Sequence, residues 1–156
     1  MLNLVNNLLD LSKIEATGDL PLGATDFDMP ALFHQIVRVM APEARAKRVR
    51  LTLAIDPAVP RWVRGDPTRL GQIVMNLVSN AVRFTERGSV IVSTRVAAPP
   101  PATDQDDAVA VRFEIVDTGI GIAPEALDRI FEGFVQARAP GARDYSGTGL
   151  GLALAK

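Results

Sequence analysis

No cysteine occurs among the 156 residues, and a single histidine, His34, is present. The first absence excludes disulfide frameworks, thiolate metal sites and cysteine nucleophiles together, and fits a reducing, cytoplasmic setting. No apolar run reaches the roughly 18 residues a membrane-spanning helix needs. The first residues carry neither the basic region nor the small-residue cleavage site of a secretory signal. Charge is balanced, with 17 Lys and Arg against 18 Asp and Glu for a formal net charge of -1, which argues against duplex nucleic acid as a partner. What is present is ordinary: 47% hydrophobic and 22% charged residues, at a length suited to one globular domain with a short appendage.

The most informative stretch is Leu70–Thr85, LGQIVMNLVSNAVRFT. Leu70, Ile73, Leu77, Ala81 and Phe84 recur at helical spacing and predict an apolar stripe. Gln72, Asn76, Asn80 and Arg83 form a second, polar face. Asp66 is placed to cap the first amides and Pro67 to occupy the first turn. Two asparagines inside a helix are each disfavoured by roughly 0.5–0.7 kcal/mol relative to alanine. Read alone, the polar face is either solvated surface or a set of amide oxygens for a hard cation, amide donors for phosphate and a matching guanidinium.

Upstream, Leu4, Leu8, Leu11 and Ile14 align on one seam of Met1–Glu15. That pattern suits an amphipathic helix packed on its own domain or the end of a longer dimerising helix. Thr17–Thr25, with two Gly and one Pro, reads as a linker. Phe27–Ala46 predicts a short strand and then a helix from near Pro30 that buries Leu32, Ile36, Val37, Val39 and Met40. His34 on that helix reads as structural. Arg50–Ile55 and Trp62–Arg64 predict strands, and Ser89–Val96 and Ala108–Val116 form the clearest strand pair. Ala97–Asp107 between them, rich in proline and aspartate, reads as a solvated hairpin loop.

The second strand of that pair runs into Asp117-Thr118-Gly119-Ile120-Gly121-Ile122. This is a strand-ending turn, or a fixed carboxylate beside a backbone that a flat ligand approaches closely. Pro124–Ile130 predicts a short helix. Phe131–Gln136 then places two phenylalanines three apart, and Ala137–Ser146, with Arg138, Arg143 and Asp144, has the composition of a lid. Gly147-Thr148-Gly149-Leu150-Gly151-Leu152 ends on an apolar helix start, where free amides favour phosphate. It is neither a P-loop nor a Rossmann fingerprint.

In this order and spacing, the motifs resemble those of the catalytic ATP-binding domain of sensor histidine kinases, of the wider Bergerat-fold family that includes gyrase and MutL ATPases. Leu70–Thr85 resembles the N box, Asp117–Ile122 the first glycine box, Phe131–Gln136 the phenylalanine box and Gly147–Leu152 the second glycine box. The resemblance covers Phe27–Lys156, and Leu8–Ala16 looks like the end of the second dimerisation helix. It implies an α/β two-layer sandwich: a mixed sheet of about five strands covered on one face by three helices, preceded by a short helical stub. The implied division is dimerisation-helix tail at 1–16, linker at 17–25 and a C-terminally truncated ATP-binding domain at 26–156.

The resemblance also implies ATP and Mg2+ as ligands. Asn80 is the implied metal ligand, Asn76 and Arg83 face the triphosphate as the catalytic pair, and Phe84 lies near the adenine. Asp117 accepts from the adenine amino group, and Gly119, Gly121 and Ile122 shape the pocket. Gly147, Thr148, Gly149, Leu150 and Gly151 hold the phosphates, with Arg143 as a lid contact. The implied partners are the dimerisation domain of the same homodimer and a response-regulator receiver domain, in the cytoplasm, with the parent protein anchored in the inner membrane or free of it.

Some positions depart from the family pattern. Arg83 replaces the commoner lysine, Gly133 a frequent proline, Ser146 a frequent glycine and Arg138 a usual acidic residue. Asn76 stands where ATP-hydrolysing relatives carry a glutamate, which predicts phosphoryl transfer rather than hydrolysis. A hydrolytic clamp and a non-enzymatic docking module are the alternatives. His34 lies outside any phosphoacceptor context, so this chain is not expected to label itself.

Overall fold

The computed structural model describes residues 22–97, 109–127 and 130. The chain divides into two units, Ala24–Ile120 and the pair of segments Met1–Gly23 and Gly121–Lys156. In the first unit both long helices begin on an aspartate followed closely by a proline. Strand β1 (Thr25–Asp28) ends at Asp28, whose Oδ1 accepts the Ala31 amide at 2.9 Å and caps helix α1 (Met29–Ala46). Arg61 Nε donates to the other carboxylate oxygen at 2.8 Å. The Ala31 amide, and after it Arg61, hold the Asp28 carboxyl below the usual carboxylate range. Asp66 repeats the device, its Oδ1 accepting the Arg69 amide at 2.9 Å at the start of helix α2 (Pro67–Phe84). The Asp66 cap is worth about 1 kcal/mol.

Three strands form one sheet in the order β2 (Val49–Ile55), β4 (Gly88–Val96), β5 (Val111–Asp117). Strands β2 and β4 run parallel with Leu51 opposite Val90 and Leu53 opposite Val92, and β5 returns antiparallel with Ile115 opposite Val92. This register puts Leu51, Leu53, Val90, Val92, Phe113 and Ile115 on the covered face, with Thr52, Ile91, Arg112 and Glu114 on the exposed one. Helix α1 packs on α2 and β2, and Phe33 stacks on Phe113 at 5.3 Å between ring centroids. Such a pair adds about 0.5–1.5 kcal/mol beyond its buried area.

The layered α/β sandwich is as the sequence predicts, with two differences. The five strands make two sheets, because β1 pairs antiparallel with β3 (Trp62–Gly65) as a separate ribbon. Two long helices, not three, belong to the described residues. The third helix, α3 (Pro124–Leu127), is a single turn in the second unit, followed by an Ile130 amide that donates to Ala126 O at 3.0 Å.

The buried faces also differ from those expected. On α1, Phe33 is wholly buried while Val39 is 57% exposed, although Ile36 and Met40 lie in the core as predicted. On α2, the core takes Ala81 as predicted, with Leu70 packed against it, but otherwise Val74, Val78 and Val82 in place of Ile73, Leu77 and Phe84. Thr25, assigned to the linker, is the first residue of β1. The helical stub at 1–16, most of the linker and the proline-rich loop from 98 lie outside the described residues. Among the described residues, no helix is long and apolar enough to cross a membrane.

Candidate functional site

Because α2 turns Val74, Val78 and Val82 toward the sheet, its polar residues lie away from that core. A full turn separates Asn76 from Asn80, and helical geometry sets them about 40° apart around the axis. Gln72, Asn76, Asn80 and Arg83 are all half-buried rather than solvated. The Asn76 Nδ2 is fully buried and has no hydrogen-bond partner among the described residues. A buried amide donor left without an acceptor is costly, and an acceptor oxygen, a phosphate oxygen among others, would satisfy it.

The last turn of α2 meets the turn that follows β5. The Phe84 carbonyl accepts the Ile120 amide at 3.3 Å. A Cβ added at Gly119 would lie 2.5 Å from Phe84 O and 2.8 Å from Asp117 Oδ1, so only glycine fits between the helix end and the carboxylate. Asp117 Oδ1 accepts the Gly119 amide at 2.8 Å, a local closure that orients the carboxylate. The Asp117 side chain is exposed, and its second oxygen has no donor among the described residues.

Thr118 fastens the turn to β4. Its amide donates to Ser89 O at 3.1 Å, and its Oγ1 accepts the Ser89 amide at 3.0 Å. Gly88 makes room for it with a φ of 122°, since a Cβ there would overlap Thr118 Oγ1. Sequence reasoning named Thr118 within its glycine box but gave it no role, and passed over Gly88, although a glycine directly before a strand was a readable signal. It also missed Lys47, the C-terminal cap of α1, whose Nζ donates to Val82 O at 2.7 Å and Arg83 O at 2.5 Å.

Of the expected site residues, Asn76, Asn80, Arg83, Phe84, Asp117 and Gly119 are described within the first unit, and Phe84, Asp117 and Gly119 meet directly. No hydrogen bond among the described residues joins Asn76 or Asn80 to the turn. Gly121, with φ of 70°, and exposed Ile122 belong to the second unit. Arg143, Gly147, Thr148, Gly149, Leu150 and Gly151, with the phenylalanine box and lid, lie outside the described residues.

The helix with the half-buried amide face and the aspartate–glycine turn at its end both lie in the part of the chain that matches a family of ATP-binding domains. Over residues 65–156 the chain matches that family, described as histidine kinase-, DNA gyrase B- and HSP90-like ATPase, and it belongs to it. Within the family, the likeness is to the catalytic ATP-binding domain of sensor histidine kinases. The chain is 39% identical over its whole length to the sensory/regulatory protein RpfC of Xanthomonas campestris pv. campestris, spanning 21% of that protein. It is 37% identical to the sensor histidine kinase GacS of Pseudomonas protegens, spanning 16% of that one. The crystal structure of full-length ShkA in complex with AMPPNP superposes with a TM-score of 0.78 at 35% identity, over 98% of this chain and 29% of that one.

Proposed function

We propose that this chain binds Mg2+-ATP and supplies the γ-phosphoryl group to a histidine of a dimerisation domain, from which it passes to an aspartate of a receiver domain. Residues 26–156 are the nucleotide-binding part in this reading, and residues 1–16 the tail of the dimerisation helix. ATP as donor puts the reaction in the cytoplasm. The observation that carries the reading is the buried Nδ2 of Asn76, without a partner among the described residues, on a face that also holds Asn80 and Arg83. The AMPPNP bound to ShkA supports the same ligand class here.

The residue types fit the ligands. Asn76 donates to a phosphate oxygen, and Arg83 brings positive charge to the triphosphate. The Asn80 amide oxygen suits Mg2+, a hard cation that keeps several waters and would neutralise phosphate charge. The exposed second oxygen of Asp117 accepts from an adenine amino group, which selects ATP over GTP. Ile122, Arg143 and Gly147, Thr148, Gly149, Leu150 and Gly151 are proposed as nucleotide ligands on the strength of the family match, which covers them. Asn76 has no titratable group to deprotonate water, so the residues favour transfer to a positioned imidazole over hydrolysis.

Calorimetric titration with ATP and GTP tests this. ATP binding, weak GTP binding and loss of the difference in Asp117→Ala are expected. Equal binding of both nucleotides, or an Asp117→Ala variant that keeps its preference, would overturn the assignment.

A further inference from the structure

A helix leaves its last four carbonyls without internal partners. In α2 the final internal bond runs from the Thr85 amide to Ala81 O at 3.1 Å. The next three carbonyls are each taken by a group from elsewhere in the fold. Val82 O and Arg83 O both accept from Lys47 Nζ, at 2.7 and 2.5 Å, and Phe84 O accepts from Ile120. Lys47 is half-buried and sits 35 residues away in sequence from the first of its acceptors. A cation at a helix C-terminus is favoured by the helix dipole, and two charge-assisted bonds fix its direction.

The place of these bonds gives them their consequence. Lys47 holds the backbone of Arg83, whose side chain belongs to the amide face, and the next carbonyl carries the Asp117–Ile120 turn. The end of α1 is itself pinned, with the Lys47 amide bonded to Glu43 O at 3.2 Å and Arg48 turning into β2 at a φ of 59°. The ammonium therefore reaches α2 from a fixed base. We infer that Lys47 is a positioning residue for the nucleotide: it sets the last turn of α2 so that Arg83 and the Asp117 turn engage one ligand together. This rests on the nucleotide reading above. Lys47 touches neither phosphate nor base in this role.

The test is a double-substitution cycle on ATP binding by the whole chain, with Lys47→Met and Arg83→Ala alone and combined. Lys47→Met keeps the length and apolar stem and removes both bonds. Lys47→Met is expected to weaken binding roughly tenfold, and much of that loss should vanish when Arg83→Ala is already present, as for residues acting as a unit. Lys47→Met with the exposed Arg38→Ala should show only the Lys47 effect. Lys47→Arg, which keeps the charge and donors, should restore most of the affinity. In the same samples, the Ile120 amide should exchange faster with solvent in Lys47→Met than in the unsubstituted chain.

Unchanged affinity in Lys47→Met, or losses that simply add with Arg83→Ala, would overturn the positioning role while leaving the nucleotide site standing. No binding by the unsubstituted chain would overturn both. If Lys47→Met does not fold, Lys47→Gln, which keeps one donor group, takes its place in the cycle. An affinity in that variant equal to the unsubstituted chain counts against the inference.

Discussion

Helices α1 and α2 have the same length of 18 residues, the same aspartate cap and the same early proline, yet their polar faces differ. On α1, His34, Gln35, Arg38 and Glu43 are exposed, so water satisfies them. On α2, Gln72, Asn76, Asn80 and Arg83 are half-buried, and the Asn76 Nδ2 has no partner among the described residues. Helix α1 is built to pack, with Met29, Phe33, Ile36, Met40 and Ala44 in the core and a solvated back. Helix α2 packs on one side and withholds its polar side from water. Polarity alone does not separate the two; partial burial does, together with the Asn76 Nδ2 that has no partner among the described residues. The same contrast marks their ends. Helix α1 closes through a left-handed arginine, whereas α2 closes through Lys47 and the Asp117–Ile120 turn.

Substitutions at these ends sharpen the contrast. The largest effect is expected at Gly119, where a methyl group would press on Phe84 O and Asp117 Oδ1. Gly119→Ala should cost about 1–3 kcal/mol in denaturant unfolding, as overpacking does, and should weaken ATP binding as well. A variant as stable as its parent would mean that the helix end and the turn are not locked together. At the end of α1 the sign reverses. Arg48 adopts a φ of 59° that glycine takes without strain, so Arg48→Gly should stabilise the chain by about 0.5–1 kcal/mol and leave ATP affinity unchanged.

The smallest effect is at the start of α1. Asp28 has its carboxyl pKa lowered by the Ala31 amide and Arg61, so its contribution is complete above the unfolded-state pKa. It is lost as pH falls through the lower folded-state value, below about pH 4. Thermal midpoints of the parent and Asp28→Asn, which caps without titrating, should converge as pH falls through that window. Curves that stay parallel would count against the shift.

Much of this was legible in the sequence. Asp66 and Pro67 announced the start of α2, and alternation with β-branched residues announced β4 and β5. The asparagine spacing and the aspartate–glycine turn marked the candidate site in the sequence itself. The buried face of α2 was legible only at Leu70 and Ala81, because the helix is apolar on two arcs. Ile73, Leu77 and Phe84 repeat as well as Val74, Val78 and Val82 do, and only the sheet beneath decides between them. The separate β1–β3 ribbon follows from pairing across the whole of α1, which no local pattern reports. Lys47 was invisible for the same reason: its partners lie 35 and 36 residues away, and a lysine at a helix end reads as solvated charge.

The difference between the two polar faces is tested most directly by their side-chain amide resonances during titration with Mg2+-ATP. The Asn76 Nδ2 protons should shift and become protected from exchange as the nucleotide fills the site, while the Gln35 amide on α1 stays where it was. An Asn76 signal that ignores saturating nucleotide, or that moves no more than Gln35, would contradict that difference.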